Sequence, residues 1–554
     1  MERLTIFVTI VAIFIAPSVV EAVWEDVFLA DGVAQVVRRG DISATASATA
    51  ATPPAAASGS YNRSLNATGW NVLKIVTSAA YSDHDQAYAA GFYEGHATSE
   101  DIERFYHIYQ ESFVAMNASI TESINNYFSE HLAWIDQQVV SEGNTSDRWR
   151  HMSLILQQLR GLRDGFNSKR QLHNASKWST VDLLYLVALG DLWDLQSYFS
   201  SEASRDWSNV PRDEFLGWLV GRSRCSALIK VADDLSDIFF GHTTWSTYKT
   251  MLRIYKHYTL NFNSVPMAST TMSMSSYPGM LTSLDDFYVN EGSELAVMET
   301  SLEVYNKSMY AGNILPQSLL YWERALLANR AANSSKEWSA IFGEMNSGTY
   351  NNQWMVLDLK KFTPNQPLPP DTLWVLEQMP GMIATRDVTD YLRYGYYPSY
   401  NVPMNEELYD RAGYPAVLAA QGPQMLSYQS CVRANIFRRD QAKVDSLDTF
   451  KLLMAYNDYE NDPLSYDEPA FAVSARVDLQ VNPAHRQCVG GIDSKVSSVV
   501  RWKGTKSVEA TSGPTLQQPV FEFSGASWMT NRSSCGPHVG LPSVFNFGYQ
   551  SMSP

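Results

Sequence analysis

The chain has 554 residues, of which 45% are hydrophobic, and a formal net charge of -16. This charge argues against a nucleic-acid partner, because neutralising phosphates requires clustered Lys and Arg. The length allows more than one domain, although a large mixed enzyme can form one unit of this size. Four cysteines are too few for a disulfide-dense mini-scaffold.

Residues 1–22 have the pattern of a cleavable secretory signal, with a basic start, a short apolar run and small residues near the end. No later stretch approaches about twenty unbroken apolar residues, so we expect no stable membrane anchor. Eight N-x-S/T triplets, each a potential glycan acceptor, support the same route. They are Asn62, Asn66, Asn117, Asn144, Asn174, Asn306, Asn333 and Asn531. We predict a glycoprotein of the secretory pathway, in the lysosomal lumen or outside the cell.

The region before residue 225 divides into three parts. Residues 43–60 are biased to Ala, Ser, Thr and Pro, which predicts a mobile loop. From about Glu100, apolar residues recur at helical spacing over 102–113 and 124–132, which predicts a largely helical N-terminal third. Residues 200–224 are polar and contain proline, which indicates a loop-like segment.

A change of pattern at Cys225 predicts a β-hairpin. CSALIKV and DIFFGHTTW are short apolar runs joined by the turn-prone ADDLS. The spacing of Tyr248, Met251, Leu252 and Tyr255 then predicts one face of a helix. Further strands are predicted at TTMSMSS, ELAVMETS and QWMVLDL. These elements place the chain in the α+β class.

Cys225 is the candidate nucleophile, because it begins a strand directly after a loop-like segment. A backbone cut there frees an α-amine, which can serve as base for its own thiol. The alternative is a buried thiol that packs as a small hydrophobic group. Of the other cysteines, Cys488 and Cys535 share a C-terminal segment and could form one disulfide, and Cys431 receives no role.

Five segments resemble blocks of the phospholipase B-like family, in the same order. They are GRSRCSALIKVADDLSDIFFGHTTWSTYKTMLRIYKHY, TMSMSSYPGMLTSLDDFYV, YPSYNVPMNEELYDRAGYP, RANIFRRDQ and GLPSVFNFGYQSM. The resemblance covers residues 65–554. It implies the four-layer αββα fold of N-terminal-nucleophile hydrolases and self-cleavage between Arg224 and Cys225. It implies fragments 23–224 and 225–554 that stay associated in one domain, with 200–224 as an excisable linker. Arg224 departs from the family, which usually has a small residue or His before the cysteine.

The same resemblance implies site residues around Cys225. His242 and Trp245 stand where related acylases have Arg and Asp, and His242 could bond the thiolate or tune the α-amine. Thr300 is expected to hold the α-amine or a substrate oxygen, and the amide N–H of Asn401 to stabilise an oxyanion. Arg433 is expected to favour the thiolate. Each also has an ordinary structural explanation: a core His beside a packing Trp, a strand Thr, a turn Asn and a surface ion pair.

The resemblance implies a hydrolase that removes acyl chains from phospholipids or related lipids through a cysteine thioester. An N-acyl amide hydrolase of the same fold and a non-catalytic lumenal lipid-binding glycoprotein remain alternatives. The sequence lacks the G-x-S-x-G elbow of serine lipases, and Cys225 opens a strand, not the helix of papain-like proteases. It also lacks HExxH and paired-Cys metal motifs, so we expect no metal or cofactor.

Overall fold

A computed structural model describes residues 23–30, 33–39, 54–114, 116–173, 175–200, 206–221, 224–530 and 532–554. The predicted secretory signal at residues 1–22 lies outside this part of the chain. The described residues form helices and large sheets, which confirms the α+β class.

Helices dominate the described residues up to 221, and further helices lie among the later strands. The helices are α1 Leu65–Thr68, α2 Asp83–Ala97, α3 Ser99–Val114, α4 Ala118–Glu142, α5 Asp147–Leu172, α6 Thr180–Val187, α7 Leu189–Phe199, α8 Arg212–Gly221, α9 Tyr321–Ala331, α10 Ser335–Gly343, α11 Thr389–Leu392, α12 Glu406–Arg411, α13 Tyr414–Gln421, α14 Val432–Asp440, α15 Leu447–Met454 and α16 Val499–Thr505. The predicted helical patterns at 102–113 and 124–132 fall within α3 and α4, which confirms them.

Strands are more numerous in the described residues from 224 onward, and four others lie earlier in the chain. The strands are β1 Trp24–Ala30, β2 Val33–Arg38, β3 Ala57–Asn62, β4 Asn71–Thr77, β5 Arg224–Val231, β6 Ile238–Thr247, β7 Ile254–Thr259, β8 Thr271–Ser276, β9 Phe287–Asn290, β10 Leu295–Ser301, β11 Asn352–Asp358, β12 Leu373–Met379, β13 Met382–Asp387, β14 Tyr396–Ser399, β15 Val489–Gly491, β16 Asp493–Ser498, β17 Val508–Ser512, β18 Phe521–Glu522, β19 Val544–Phe545 and β20 Gln550–Met552. The predicted hairpin is β5–β6, and β8, β10 and β11 confirm the other three predicted strands.

Two large sheets organise these strands. Within the described ranges, the first runs β13-β12-β11-β10-β9-β8-β7-β4-β3-β1-β2, and the second runs β14-β5-β6-β16-β17-β20 with β15 against β6. In the first sheet β4 pairs in parallel with β7, so strands from both sides of the Arg224–Cys225 bond share one ladder.

The buried apolar residues form two hydrophobic cores. The smaller core contains Ile229 and Phe240 of the second sheet together with Val289 and Met298 of the first. The larger core contains apolar residues of the helices. On the first sheet α2 packs against β3 and β4, and on the second α15 packs against β6 and β16.

The helix predicted over Tyr248–Tyr255 is wrong. A short 3₁₀ helix covers Tyr248–Thr250, and Tyr255 lies in β7 between β4 and β8. Every residue of this strand except the last is buried, so the strand is covered on both faces. Even Lys256 is buried, and it donates to the carboxylate of Glu94 at 2.7 Å. A strand of this kind lacks the polar alternation that marks a half-buried strand.

The loop prediction for 43–60 is wrong at its end. Residues 57–60 belong to β3, which pairs with β1 and β4. Small residues are needed there because α2 packs closely, and a Cβ on Gly59 would lie 2.1 Å from the ring of Tyr93. Residues 43–53 lie outside the described part of the chain.

The loop prediction for 200–224 is wrong over its second half. Helix α8 occupies 212–221, since Phe215, Leu219 and Val220 are spaced to form one buried face. Only residues 222–223 separate α8 from β5, and they lie outside the described part of the chain, as do residues 201–205.

Candidate active site

Cys225 lies at the second position of β5 and is buried. In the β5–β6 ladder it faces Thr244, and Ala227 faces His242. Since alternate residues of a strand share a face, Cys225 points to the same side as Ala227 and Ile229. Those two residues belong to the core that contains apolar side chains of both sheets. The thiol therefore lies at the edge of the space between the sheets.

Asn401 and Arg433 hold the backbone of Cys225. The amide nitrogen of Cys225 donates to Oδ1 of Asn401 at 3.1 Å, and Arg433 donates to the carbonyl oxygen of Cys225 at 2.5 Å. Arg433 also donates to Oδ1 of Asn401 at 2.9 Å and to the carbonyl oxygen of Tyr400 at 2.7 Å. These contacts fix the position of the atom that would become the α-amine.

The orientation of Asn401 differs from the one expected. Two donors converge on its Oδ1, and its Nδ2 donates to the carbonyl oxygen of Ser301 at 2.8 Å. The side chain therefore presents its amide oxygen to Cys225, which suits an amine and not an oxyanion. Asn401 adopts a left-handed φ of 66°, which costs free energy for a residue with a side chain.

Thr300 reaches the site through Asn401. Its hydroxyl accepts the backbone N–H of Asn401 at 3.2 Å and shares a hydrogen bond of 2.6 Å with Ser399. These bonds hold the backbone of Asn401 in its unusual conformation. Thr300 therefore bonds Asn401, and it is Asn401 that accepts the hydrogen bond from the Cys225 nitrogen.

Trp245 supports Arg433. The guanidinium lies 4.5 Å from the centre of the indole ring, and the indole nitrogen donates to the carbonyl oxygen of Val473 at 2.9 Å. Trp245 faces Arg224 in the ladder, so its ring is on the opposite face of the sheet from the thiol. Burial raises the pKa of the Cys225 thiol, and the backbone N–H of Trp245 opposes this effect only weakly.

His242 lies beside the thiol, together with Glu299 from β10, which the sequence analysis missed. One ligand atom each of Cys225, His242 and Glu299 lies within 4.8 Å of the other two. Nε2 of His242 donates to the carbonyl oxygen of Glu299 at 2.8 Å, so Nδ1 carries the lone pair of the neutral ring. The signal for Glu299 was a single acid within the otherwise apolar start of the strand LAVMETS.

Lys495 and Asp493 of β16 form a buried charged pair next to these groups, and were also missed. Nζ of Lys495 donates to Asp493 at 2.8 Å and to Oγ1 of Thr244 at 2.6 Å. Arg253 bonds the same Asp493 carboxylate at 2.8 Å. Oγ1 of Thr244 lies 3.4 Å from Nδ1 of His242, which links Lys495 to the imidazole. An Asp and a Lys two apart in the strand-like IDSKVSS was the available signal.

Burial keeps the thiol of Cys225 neutral. Burial and then Glu299 raise the pKa of the Cys225 thiol well above its usual value, while Lys495 opposes them. Burial and Lys495 lower the pKa of His242 well below its usual value. Burial and then Asp286 raise the pKa of Glu299. The thiol and the imidazole are therefore uncharged near neutral pH.

Cys225, His242 and Glu299 have the ligand types and proximity to hold one metal ion. The cations of Lys495 and Arg253 act on the same groups and lower the pKa of His242. Two fixed positive charges make this a poor place for a third cation. We therefore derive no chemistry from a metal here.

The remaining predicted positions lie away from this site. Cys488 and Cys535 form the predicted disulfide, and Cys431 is a buried free thiol. The sequon residues Asn62, Asn66, Asn117, Asn144, Asn306 and Asn333 are exposed, and Asn174 and Asn531 lie outside the described residues. In the described part of the chain, no helix combines the length and apolarity needed to cross a membrane.

Comparison with known proteins relates nearly the whole chain to one family. Residues 57–552 match the family model described as phospholipase B. Phospholipase B-like 1 of Homo sapiens is 37% identical over 503 residues, which cover 90% of this chain and 87% of that protein. Phospholipase B-like protein B of Dictyostelium discoideum is 37% identical over 494 residues, covering 88% and 84%. Phospholipase B of Crotalus adamanteus is 35% identical over 506 residues, covering 90% and 88%.

Proposed function

The chain belongs to the phospholipase B family, and from this we propose that it is a hydrolase that removes acyl groups from lipids through a thioester at Cys225. The proposal rests on two hydrogen bonds to the backbone of Cys225. Its nitrogen donates to Oδ1 of Asn401, and its carbonyl oxygen accepts from Arg433. An amide oxygen such as Oδ1 of Asn401 can accept a hydrogen bond from a backbone N–H and equally from a free α-amine, which supports the proposal.

The proposed fold is the four-layer αββα arrangement of N-terminal-nucleophile hydrolases. The core shared by the two sheets corresponds to the middle of such a fold, and α2 and α15 correspond to its outer layers. The parallel pair β4–β7 supports the proposal that both cleavage fragments stay together in one intertwined domain.

Self-cleavage would create the active nucleophile in two steps. The thiol of Cys225 attacks the carbonyl carbon of Arg224, a C–S bond forms, and the C–N bond to Cys225 breaks as the thiol proton passes to the departing nitrogen. Water then adds to the thioester, leaving a carboxylate on Arg224 and the free thiol. Nδ1 of His242 is the nearby lone pair that could accept the thiol proton transiently.

After cleavage, the Cys225 nitrogen is an α-amine that can act as base for its own thiol. Oδ1 of Asn401 would hold this amine, as it holds the amide nitrogen in the intact chain. A substrate acyl group then forms a thioester with Cys225, its alcohol or amine leaves with a proton, and water releases the acid. Both esters and amides fit this sequence, so an N-acyl amide hydrolase remains the alternative activity.

A lumenal glycoprotein that binds lipid without turnover is the alternative from another class. It would account for His242 and Trp245 in place of the acylase Arg and Asp. The exposed sequon residues support a glycosylated protein of the lysosomal lumen or the extracellular space.

Two measurements test this function. N-terminal sequencing of purified protein after incubation at acidic pH should yield a fragment that begins at Cys225. Release of fatty acid from phospholipids and from N-acyl amides should then depend on the cysteine and be lost in Cys225→Ala. An intact Arg224–Cys225 bond, or equal activity in the variant, would contradict the mechanism.

A further inference from the structure

A groove lies beside the turn between α4 and α5, where the potential glycan acceptor Asn144 stands. It has a volume of about 660 Å³, which is within the range of pockets that hold small molecules. Asn144 is exposed and is one of the residues that line the groove. A sugar chain attached to this side chain therefore begins at the groove itself.

The walls of the groove suit a carbohydrate. Tyr81 supplies an aromatic ring and Val139 an aliphatic side chain, and the C–H face of a sugar ring can pack against both. Asn263 and Ser264 are exposed residues whose amide and hydroxyl groups can bond sugar hydroxyls. The groove thus combines apolar and polar contacts, as sites for polar small molecules do.

One hydrogen-bond donor at the groove is unsatisfied. Arg150 lines the groove, and its Nη2 donates to Asp147. Its Nε–H is buried and has no acceptor among the residues that the structure describes. A buried donor without an acceptor is unfavourable, so a partner from outside the folded chain would stabilise this arrangement. The acetamide carbonyl of an N-acetylglucosamine is an acceptor of this kind.

We propose that this groove is a carbohydrate-binding site and that its occupant is the inner part of the glycan carried by Asn144 itself. The inference rests on the lumenal location that the proposed function includes, and it is independent of the thioester chemistry. Attachment beside the groove gives the sugar a high effective concentration there, so individually weak contacts with Tyr81 and Arg150 are sufficient for binding.

The bound glycan covers a junction between the two proposed fragments. The carboxylate of Asp83 accepts the backbone N–H groups of Asn263 at 2.9 Å and of Ser264 at 2.6 Å. Asp83 and Asn144 precede the proposed cleavage site, whereas Asn263 and Ser264 follow it. A glycan in the groove therefore contacts both fragments and adds to their association.

Enzymatic release of glycans from the folded wild-type protein tests this site. Peptide N-glycosidase in heavy-oxygen water converts each released Asn to a labelled Asp, which mass spectrometry of peptides locates. We expect release at Asn144 to be slower than at Asn333 by about tenfold or more, the factor that one hydrogen bond provides. Asn333 is the matched control, because it is exposed in the turn between α9 and α10. Equal rates in the folded protein, or an Asn144 that carries no glycan, would overturn the proposal.

Opening the groove should remove the difference between the two positions. Tyr81→Ala deletes the aromatic wall, so release at Asn144 should become about tenfold faster while release at Asn333 stays unchanged. Tyr81→Phe is the matched control, since it keeps the ring and loses only the hydroxyl that donates to the carbonyl oxygen of Pro54 at 2.8 Å. Arg150→Met removes the unsatisfied donor and should act in the same direction. Slow release at Asn144 in both Tyr81→Ala and Arg150→Met would assign the protection to the turn and overturn the binding site.

Urea titration of the processed protein tests the contact with both fragments. Ser146→Ala removes the glycan acceptor motif without changing Asn144, and Ser146 forms no side-chain hydrogen bond that caps α5. We expect the urea concentration that separates the fragments to fall in Ser146→Ala and to stay the same in Asn333→Gln. An unchanged value in Ser146→Ala would contradict the bridging contact. If the Arg224–Cys225 bond stays intact, the release rates still decide the carbohydrate site, so the two failures are distinguishable.

Discussion

The backbone nitrogen of Cys225 lies 3.1 Å from Oδ1 of Asn401, a side chain that comes 176 residues later in the chain. The same oxygen accepts a hydrogen bond from Arg433. This side-chain oxygen accepts a hydrogen bond from the Cys225 nitrogen while that nitrogen is part of a peptide bond. It could accept one equally from the amine that the proposed cleavage would create.

Replacing Cys225 should abolish processing without unfolding the protein. Cys225→Ala removes only one buried sulfur, so we expect no fragment beginning at residue 225 and a loss of at most about 1–2 kcal/mol in the free energy of unfolding. Intact mass and thermal unfolding measure the two effects. Cys431→Ala is the matched control, since Cys431 is also a buried free thiol. Loss of processing in the control as well would remove the special role of Cys225.

Asn401 allows its side chain and its backbone to be tested separately. Asn401→Ala loses the oxygen that binds Cys225 and keeps the left-handed φ of 66°, whereas Asn401→Gly loses the oxygen and relieves the backbone. We expect both variants to process at least about tenfold more slowly, because each leaves the Cys225 nitrogen unheld. Both variants lose the same side-chain hydrogen bonds, so Asn401→Ala should be less stable than Asn401→Gly by about 1 kcal/mol, the cost of the left-handed backbone.

Rates of fragment appearance on a denaturing gel, together with urea unfolding, provide both readouts. Normal processing in Asn401→Gly would show that backbone conformation matters and that the bond to Cys225 does not.

The sequence predicted the β5–β6 hairpin well, because local signals mark it. The apolar runs of β5 and β6 are short and are bounded by Asp and Ser, so run length and turn chemistry are sufficient. Glu299 and Lys495 were missed because their roles depend on β10 and β16 approaching β5 and β6 from distant parts of the chain. The strand at Tyr255 was missed because burial on both faces erases the alternating pattern.

Asp191 of α7 should contribute more to stability in acid than at neutral pH. Burial raises the pKa of Asp191 from 3.8 to about 7, although hydrogen bonds from Thr349 and Tyr321 oppose this and Glu323 adds to it. The folded state therefore binds a proton that the unfolded state has released between about pH 4 and pH 7. The stability from this group is complete below about pH 4 and is lost as the pH rises to about 7.

Asp191→Asn tests this effect. The amide keeps the acceptor that Thr349 and Tyr321 use, and it places an NH₂ group where Oδ2 has no hydrogen-bond partner. We expect wild type and variant to be equally stable near pH 4, and the variant to be more stable by about 2–4 kcal/mol near pH 7. Chemical unfolding at both pH values measures the difference. A constant difference at all pH values would assign the effect to packing.

Lys495 should set the pH dependence of self-cleavage. Burial lowers the pKa of Lys495 to about 8, although Asp493 opposes this, so the side chain is charged below about pH 8. Its positive charge lowers the pKa of the Cys225 thiol against the effect of burial. Lys495→Met loses that charge, so we expect processing at about pH 6 to slow roughly tenfold.

The difference between wild type and Lys495→Met should shrink above about pH 8, because wild-type Lys495 is then neutral as well. Lys495→Arg keeps the charge at every pH and serves as the matched control, with thermal unfolding to confirm that both variants fold. Rates of fragment appearance from about pH 5 to pH 9 distinguish the explanations. A ratio of rates that stays constant over this range would mean that Lys495 supports only the structure of β16, whereas convergence above pH 8 would place its charge in the chemistry of Cys225.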